Sequence, residues 1–217
     1  MKRLSMFLFL FVGILIFGGC AKTFQVIYQP EIALSVPKME KQHKVVVIKF
    51  EDIRGRVRPK KESSYKEFGK YGIWSLNFDR EIATIVLDVL AEELTKANFV
   101  VTKREELLIE AVPNKVMRIG EAEQVEFVLD GKISSFDLEY ETGLLTATPL
   151  RAVILSVSLL DAKTGKTIMS NTFSDRSEEG GTLFTLHSTQ AKKLVNIHLP
   201  KVIEKIILAI QEQIKEE

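Results

Sequence analysis

A strand, a helix and a second strand follow one another between residues 45 and 101, and this succession constrains the fold more than any other feature. Residues 45–50 read Val-Val-Val-Ile-Lys-Phe, an apolar, β-branched run typical of a strand covered on both faces. Residues 79–97 repeat apolar side chains at three- and four-residue steps, which predicts a helix with one buried stripe. Because residues 99–101 predict another strand, the unit should form a right-handed parallel crossover.

The sequence after this unit predicts one short helix, three more strands and a long helix. Thr102 and Glu105 have the spacing of a capping box, so we expect the short helix to follow them and to end near Pro113. Residues 125–141 predict a strand whose apolar alternation changes phase, which indicates a bulge near Ser134 and Ser135.

A hairpin and a helix complete the predicted fold. Strands at 152–160 and 166–174 flank an Asp- and Gly-containing turn, and an apolar stripe over residues 195–214 indicates a helix that Pro200 either kinks or divides. We therefore predict an α/β fold with a mixed β-sheet and helices packed on it, in a single domain over residues 43–217.

The amino terminus has the order of segments found in a secretory signal peptide. Lys2 and Arg3 precede an apolar run over residues 4–17, and Gly18 and Gly19 lead to Cys20. The residues 17–20, Phe-Gly-Gly-Cys, resemble the lipobox of bacterial lipoproteins, which implies removal of residues 1–19 and a diacylglycerol on the Cys20 thiol. The alternative is an uncleaved spanning helix, because residues 4–20 reach the lower limit of the roughly 17–25 residues that a span needs.

The residues after Cys20 predict a tether and a location. Residues 20–42 contain Pro30, Pro37 and scattered charges, which favours an extended connection between the anchor and the domain. The alternative for its first part is a short strand packed on the domain, because Phe24, Val26 and Tyr28 alternate. In lipoproteins of the type that the lipobox suggests, an Asp after the cysteine retains the protein in the inner membrane. Here that residue is Ala21, so we expect an outer-membrane anchor with the domain facing the periplasm, and inner-membrane anchoring is the alternative.

Composition narrows the classes of partner. The 30 basic and 29 acidic residues nearly cancel, which argues against a nucleic-acid binder. Cys20 is the only cysteine, so no internal disulfide can form. The histidines are His43, His187 and His198. If His187 and His198 lie on one helix, they are about 16 Å apart at ~1.5 Å per residue and cannot share one metal ion, so we expect surface or capping histidines. We expect no metal and no other cofactor.

Several blocks of the chain resemble a known family of envelope domains. They are the strand that begins Val45-Val-Val-Ile-Lys-Phe, the helix end Leu90-Ala-Glu-Glu-Leu, the segment from Val125 to Ile133, and Leu159-Leu-Asp-Ala-Lys-Thr-Gly. Their order is similar to that in the TolB amino-terminal domain and in the periplasmic domain of the curli-secretion lipoprotein. The resemblance implies a mixed sheet with helices and a role in envelope assembly or transport. It supplies no catalytic residue.

Two segments exceed what a bare scaffold of this kind needs. Residues 52–78 are longer than the usual strand-to-helix connection of about 2–6 residues and interleave basic and aromatic side chains. Such side chains dominate interfaces, so this excursion is either a contact surface or a segment whose aromatics fold back on the core. The tip around Leu144 and Leu145 either enters a partner or a membrane, or is a buried loop. The candidate contact residues of the excursion are Arg54, Arg56, Arg58, Tyr65, Phe68, Tyr71 and Trp74.

Two short sequence motifs match those of a serine enzyme, but the structural context that these motifs require is missing. Ser63 and Lys66 spell S-x-x-K, and residues 163–165 spell K-T-G, as in the serine penicillin-binding enzymes. Ser63 lies in a polar stretch, K-T-G falls in a predicted hairpin turn, and the third motif has Arg176 in place of Asn. We assign no catalytic residue.

The sequence therefore favours a non-catalytic binding or accessory subunit of an envelope assembly or transport machine, anchored to the membrane by lipid and contacting an envelope protein. The alternative is a periplasmic carrier for a lipid, glycan or peptide, which would need a concave apolar pocket. A serine hydrolase is the third hypothesis.

Overall fold

A computed structural model describes residues 27–54, 70–71, 78–108, 112–142, 147–178 and 187–215. The strands are β1 (His43–Ile48), β2 (Glu51–Asp52), β3 (Lys70–Tyr71), β4 (Phe99–Arg104), β5 (Phe127–Thr142), β6 (Ala147–Asp161) and β7 (Thr167–Glu178). The helices are α1 (Ile82–Lys96), α2 (Pro113–Glu123), α3 (His187–Lys193) and α4 (Leu199–Lys215), with a π-helical segment (Leu194–His198) between α3 and α4. The predicted α/β fold with a mixed sheet and packed helices, in a single domain, is confirmed.

The sheet has the order β4-β1-β5-β6-β7, with β2 and β3 pairing beside β5. Strand β1 is parallel to β4 and to β5, whereas β5, β6 and β7 form an antiparallel meander. The parallel crossover predicted from residues 45–101 is therefore confirmed. The register of β5 against β6 shifts between Ile133 and Ser135, where the change of apolar phase predicted a bulge.

Helices cover the two faces of the sheet unequally. Helices α1 and α4 pack on one face over the main core, which includes Val45, Leu129 and Leu155. Helix α2 covers only the β1 end of the other face, through a smaller cluster that includes Val46 and Val116. The rest of that face is polar, and the hydroxyls of Ser156 and Thr172 lie 2.9 Å apart across β6 and β7.

The prediction of a short helix between Thr102 and Pro113 is wrong. Strand β4 continues to Arg104 because Thr102, Lys103 and Arg104 pair with the end of β1, and this pairing outweighs the local capping signal. Pro113 begins helix α2 instead of ending a helix, since a missing N–H costs nothing in the first helical turn.

The hairpin between β6 and β7 matches its prediction. The Asp161 carboxylate accepts hydrogen bonds from the backbone amides of Lys163 and Thr164 at 3.0 and 2.6 Å, and Gly165 adopts a φ of 69°. The K-T-G letters thus lie in a tight turn. Ser63 falls outside the described residues.

Residues 27–42, which belong to the predicted tether, lie against the helices. Their backbone and side chains make hydrogen bonds to α1, to α4 and to the π-helical segment. We call residues 27–42 the strap. Residues 1–26, which include the signal segment 1–19 and Cys20, lie outside the described residues.

Candidate functional site

The candidate site is a cleft where the parallel part of the sheet ends. Strand β1 leads into Lys49 and Phe50, β4 ends beside Glu105, and α1 begins on the other side. Ligands of α/β sheets bind outside the carboxyl ends of parallel strands, and this cleft occupies that position. Its volume is about 680 Å³, within the range of roughly 300–1,000 Å³ that ligand pockets occupy. The residues that line it include Lys49, Phe50, Asp52, Arg54, Phe78, Arg80, Glu81, Ile82, Ala83, Glu105 and Leu107.

The floor of the cleft is apolar and tightly packed. Phe50 is fully buried, and Ile82 and Ala83 from the first turn of α1 are nearly so. A Cβ at Gly131 on β5 would lie 2.6 Å from a ring carbon of Phe50, so only glycine lets the ring lie this close to the strand. Phe78 stands at the edge of the cleft and packs edge-on against Phe136 with ring centroids 5.8 Å apart. This floor is a rigid apolar surface.

The rim of the cleft carries charges that are paired with one another. Lys49 Nζ lies 2.6 Å from Glu81 Oε2 and 3.6 Å from Glu105 Oε2, and the hydrogen bond to Glu81 is the main reason that the pKa of Lys49 is raised. Arg54 donates to Asp52 at 2.7 Å. Burial alone would raise the pKa of Asp52, but the hydrogen bonds from Arg54 lower it below its usual value.

Such a rim suits a polar partner that exchanges one ion pair for another. Glu81 and Glu105 are largely exposed, with 73% and 65% of their side chains accessible, so their pairs with Lys49 are weak and easily exchanged. The fixed part of the cleft is therefore its apolar floor, and the adjustable part is its rim.

The structure brings part of the predicted contact surface to this cleft. Arg54 lines it and also donates to the Phe136 carbonyl at 3.4 Å. The backbone of Tyr71 pairs with that of Tyr140 on β5, which holds the excursion against the sheet at this point. Outside the described residues lie Arg56, Arg58, Tyr65, Phe68, Trp74, Leu144 and Leu145.

A second cluster of polar side chains lies buried between β6, β7 and the carboxyl-terminal helices. Arg151 is 1% exposed and donates through Nε and Nη2 to Ser177 Oγ at 3.2 and 3.1 Å, and through Nη1 to Gln190 Oε1. Ser177 Oγ lies 3.2 Å from His198 Nε2, and His198 Nδ1 lies 2.6 Å from Asp175 Oδ2. Serine, histidine and aspartate thus occur in the order of a catalytic triad.

The surroundings of this cluster indicate a structural role. Both Nε and Nη2 of Arg151 donate to Ser177 Oγ, which occupies the lone pairs that a nucleophile would use. None of these residues lines the cleft at the ends of the parallel strands. The cluster instead joins β6 and β7 to the helix above them. Burial lowers the pKa of His198, although the hydrogen bond and charge of Asp175 oppose that shift.

The prediction that the histidines lie at the surface or cap helices is wrong for His43 and His198. His198 is 2% exposed and His43 is 8% exposed. His43 lies between the rings of Phe99 and Phe127, and its Nδ1 is 2.6 Å from Glu126 Oε2. The side chain of His187 is not among those described.

The sequence contains one signal for the buried cluster on β7. Asp175 and Ser177 alternate in step with the apolar Met169 and Phe173, so all four lie on the helix-facing side of the strand.

No helix among residues 27–54, 78–108, 112–142 and 187–215 is both long and apolar enough to cross a membrane. In the same part of the chain, no three His, Cys, Asp or Glu side chains come together as metal ligands would.

Fold and cleft together define an α/β domain with a mixed sheet and an open cleft at the carboxyl ends of its parallel strands. No protein-family model matches the sequence, and a search of curated protein sequences finds no match. Among solved structures, protein XCC0632 from Xanthomonas campestris, assigned to family model DUF330, has a TM-score of 0.58 at 10% identity. That match covers 90% of this chain and 97% of the other.

Two further structures are similar. The hypothetical protein CT253 from Chlamydia trachomatis has a TM-score of 0.52 at 9% identity, over 82% of this chain and all of that one. Lipoprotein GNA1162 from Neisseria meningitidis matches 81% of this chain and 99% of its own, with a TM-score of 0.37 at 12% identity. The first two matches show that bacterial proteins share this fold. The specific likeness to TolB and to the curli-secretion lipoprotein stays a prediction.

Proposed function

We propose that this chain is a lipid-anchored protein of the bacterial cell envelope that acts without catalysis, by binding another envelope protein at the cleft. Cys20 carries the anchor, and the domain faces the periplasm from the outer membrane. The observation that carries the proposal is the cleft itself, which combines a packed apolar floor with a rim of exchangeable ion pairs at the end of the parallel strands. A protein segment presents both an apolar side chain and charged groups, as such a cleft requires.

The cleft favours this function over a carrier of lipid or glycan. A carrier needs a concave, mostly apolar pocket between the sheet and the helices. In the described part of the chain, the space between the sheet and α1 and α4 is filled by buried side chains such as Phe136, Leu155 and Ile203. The cleft at the ends of the parallel strands is open and rimmed by charges. A protein partner that docks from outside fits this arrangement better than a ligand that is enclosed.

The test is a crosslinking pull-down from intact cells with two matched leucine variants. Leu107 is 44% exposed in the cleft, and Leu208 is 39% exposed on α4, so Leu107→Lys and Leu208→Lys place the same charge on two similarly accessible positions. We expect one defined envelope protein to copurify with the wild type and with Leu208→Lys, and to be lost with Leu107→Lys. Labelling with a radioactive fatty acid checks the anchor, which should be present in all three and absent from Cys20→Ser.

Two results would contradict the proposal. If Leu107→Lys recovers as much of the partner as the wild type does, the partner does not bind at the cleft. If the wild-type protein takes up no fatty acid, Cys20 does not carry a lipid anchor.

A further inference from the structure

The strap is bound to the helices by a regular series of hydrogen bonds. The amide of Gln29 donates to Asn196 Oδ1 at 2.9 Å, and the amide of Ser35 donates to Glu204 Oε1 at 3.0 Å. Further along, Gln211 Nε2 donates to the Pro37 carbonyl at 2.7 Å. The strap therefore follows the π-helical segment and α4 before it turns into β1.

A further hydrogen bond from the strap reaches a backbone carbonyl that lies four residues before Pro200 in the helix. Pro200 has no N–H, so the α-helical hydrogen bond from residue 200 to the carbonyl of Asn196, four residues earlier, cannot form. The amide of Glu31 donates to that carbonyl at 2.9 Å. Asn196 is only 7% exposed, and both its backbone and its side-chain oxygen accept from the strap. Without the strap, the backbone carbonyl and the side-chain oxygen of Asn196 would both lose these donors. We therefore interpret the contact as a specific docking site for the strap.

The first described residues of the strap also bind near the end of α1. The Tyr28 hydroxyl donates to Glu93 Oε1 at 3.0 Å, and burial together with the Glu93 carboxylate raises the pKa of Tyr28. Lys96 lies 2.8 Å from the same Glu93 carboxylate. Glu93 is in the last turn of α1, whereas Ile82 and Ala83 in the first turn line the cleft. These two places are separated by about 16 Å along the helix, at ~1.5 Å per residue.

The chain between the lipidated residue and this docking point is short. Seven peptide units join Cys20 to Ile27, which allows at most about 25 Å of reach at ~3.6 Å per residue. Ile27 is 57% exposed, more than any other large apolar side chain in the part of the chain that the structure describes. An exposed isoleucine at the start of a short lipid tether has the chemistry of a residue at the membrane surface.

We propose that the docked strap orients the domain on the membrane, with Ile27 and the last turn of α1 against the lipid headgroups and the cleft at the far end of α1. The surface around Ile27 contacts the same bilayer into which the acyl chains of Cys20 insert. This inference rests on the proposed lipidation of Cys20. It deepens the proposed function, because a cleft directed away from the bilayer is open to a partner in the periplasm.

The experiment measures the distance of two labels from the bilayer. Glu92 in the last turn of α1 and Leu107 in the cleft are both about half exposed, and each is replaced by cysteine in the full-length protein, whose Cys20 thiol is consumed by the lipid. The lipidated protein is placed in vesicles of phosphatidylethanolamine and phosphatidylglycerol that contain a lipid with a nitroxide headgroup. We expect a fluorophore at Glu92→Cys to be quenched several times more strongly than one at Leu107→Cys.

An insertion provides the matched control. Ten Gly/Ser residues between Val26 and Ile27 lengthen the tether and leave every strap contact in place, so the contrast between the two labels should diminish. Equal quenching at Glu92 and Leu107 in the original protein, with lipid on Cys20 verified by mass spectrometry, would overturn the orientation and leave the anchor intact. The absence of lipid on Cys20 would overturn both the orientation and the proposed anchor.

Discussion

Gly131 offers a direct test of how the cleft floor is built, through the substitution Gly131→Ala. A Cβ there would lie 2.6 Å from Phe50 Cε2 and 2.6 Å from the backbone carbonyl oxygen of Ser156 on β6. The ring can shift only into a filled core, and the carbonyl is held in the β5–β6 ladder. Relief of both contacts requires a displacement of about 0.7 Å or more, since carbon–oxygen contacts in sheets are ~3.3–3.6 Å.

The expected loss of stability combines two opposing effects. Overpacking of this kind costs about 1–3 kcal/mol, or more where backbone must move. Alanine returns about 0.4–1 kcal/mol by restricting the unfolded chain. We therefore expect Gly131→Ala to lower the free energy of unfolding by about 2 kcal/mol, which is a decrease of roughly 4–8 °C in Tm for a chain of this length.

Thermal and urea unfolding, followed by circular dichroism on residues 20–217 with Cys20→Ser, measures this loss. Phe50→Leu, alone and combined with Gly131→Ala, separates the two contacts. The double variant should be more stable than the sum of the single effects by about 1 kcal/mol, because the ring contact is gone and the carbonyl contact remains. A Tm for Gly131→Ala within about 1 °C of the wild type, or strict additivity with Phe50→Leu, would refute this explanation of the floor.

Three other substitutions test the buried groups and the strap. Burial raises the pKa of Asp130 to about 6, so the folded wild type loses stability as pH rises from about 4 through 6, and Asp130→Asn should be more stable by about 1 kcal/mol at neutral pH but not at pH 4. Burial lowers the pKa of His198 below 6.5, so the unfolded chain binds the proton more readily and the wild type should lose stability relative to His198→Gln as pH falls below 6.5. Urea unfolding across this pH range checks both, and a stability difference from the wild type that does not change with pH would contradict either one. Asn196→Ala removes the acceptor for the Gln29 amide, so proteolysis within the strap should accelerate while the rest of the domain stays resistant; an unchanged cleavage rate would count against the docking site.

Parts of the fold were predictable because their signals are local or periodic. The run Val45 to Ile48 is apolar at every position, which requires cover on both faces, and α1 and α2 supply it. Phe127, Leu129 and Ile133 share one parity and Phe136 the other, so the bulge between Ile133 and Ser135 followed from the alternation alone.

Other parts depend on residues distant in sequence and were not predictable in the same way. The helix expected after Thr102 gave way to pairing with β1, because a strand partner more than fifty residues away decides that segment. Pro200 indicated a disturbed helix, but nothing local indicates that Glu31 donates to the Asn196 carbonyl. Residues 20–42 were predicted as a tether, and in the described part of that segment residues 27–42 are docked on the helices.

The candidate site shows the same division. Arg54 was singled out from the density of basic and aromatic side chains and lines the cleft, and its role in partner contact stays a prediction. Lys49, Glu81 and Glu105 were not singled out, because they come from three separate elements and meet only when the parallel unit folds. The cluster around Arg151 was missed for the same reason, since β6, β7 and the π-helical segment each contribute to it.

The measurement that tests partner binding at the cleft most directly is photo-crosslinking in intact cells. A photoreactive amino acid replaces Leu107 in the cleft or Leu208 on α4, in the full-length protein with its lipid anchor. We expect an ultraviolet-dependent adduct of one defined mass from position 107, in the membrane fraction, and none from position 208. No adduct at position 107, or the same adduct at both positions, would contradict a partner that binds in the cleft.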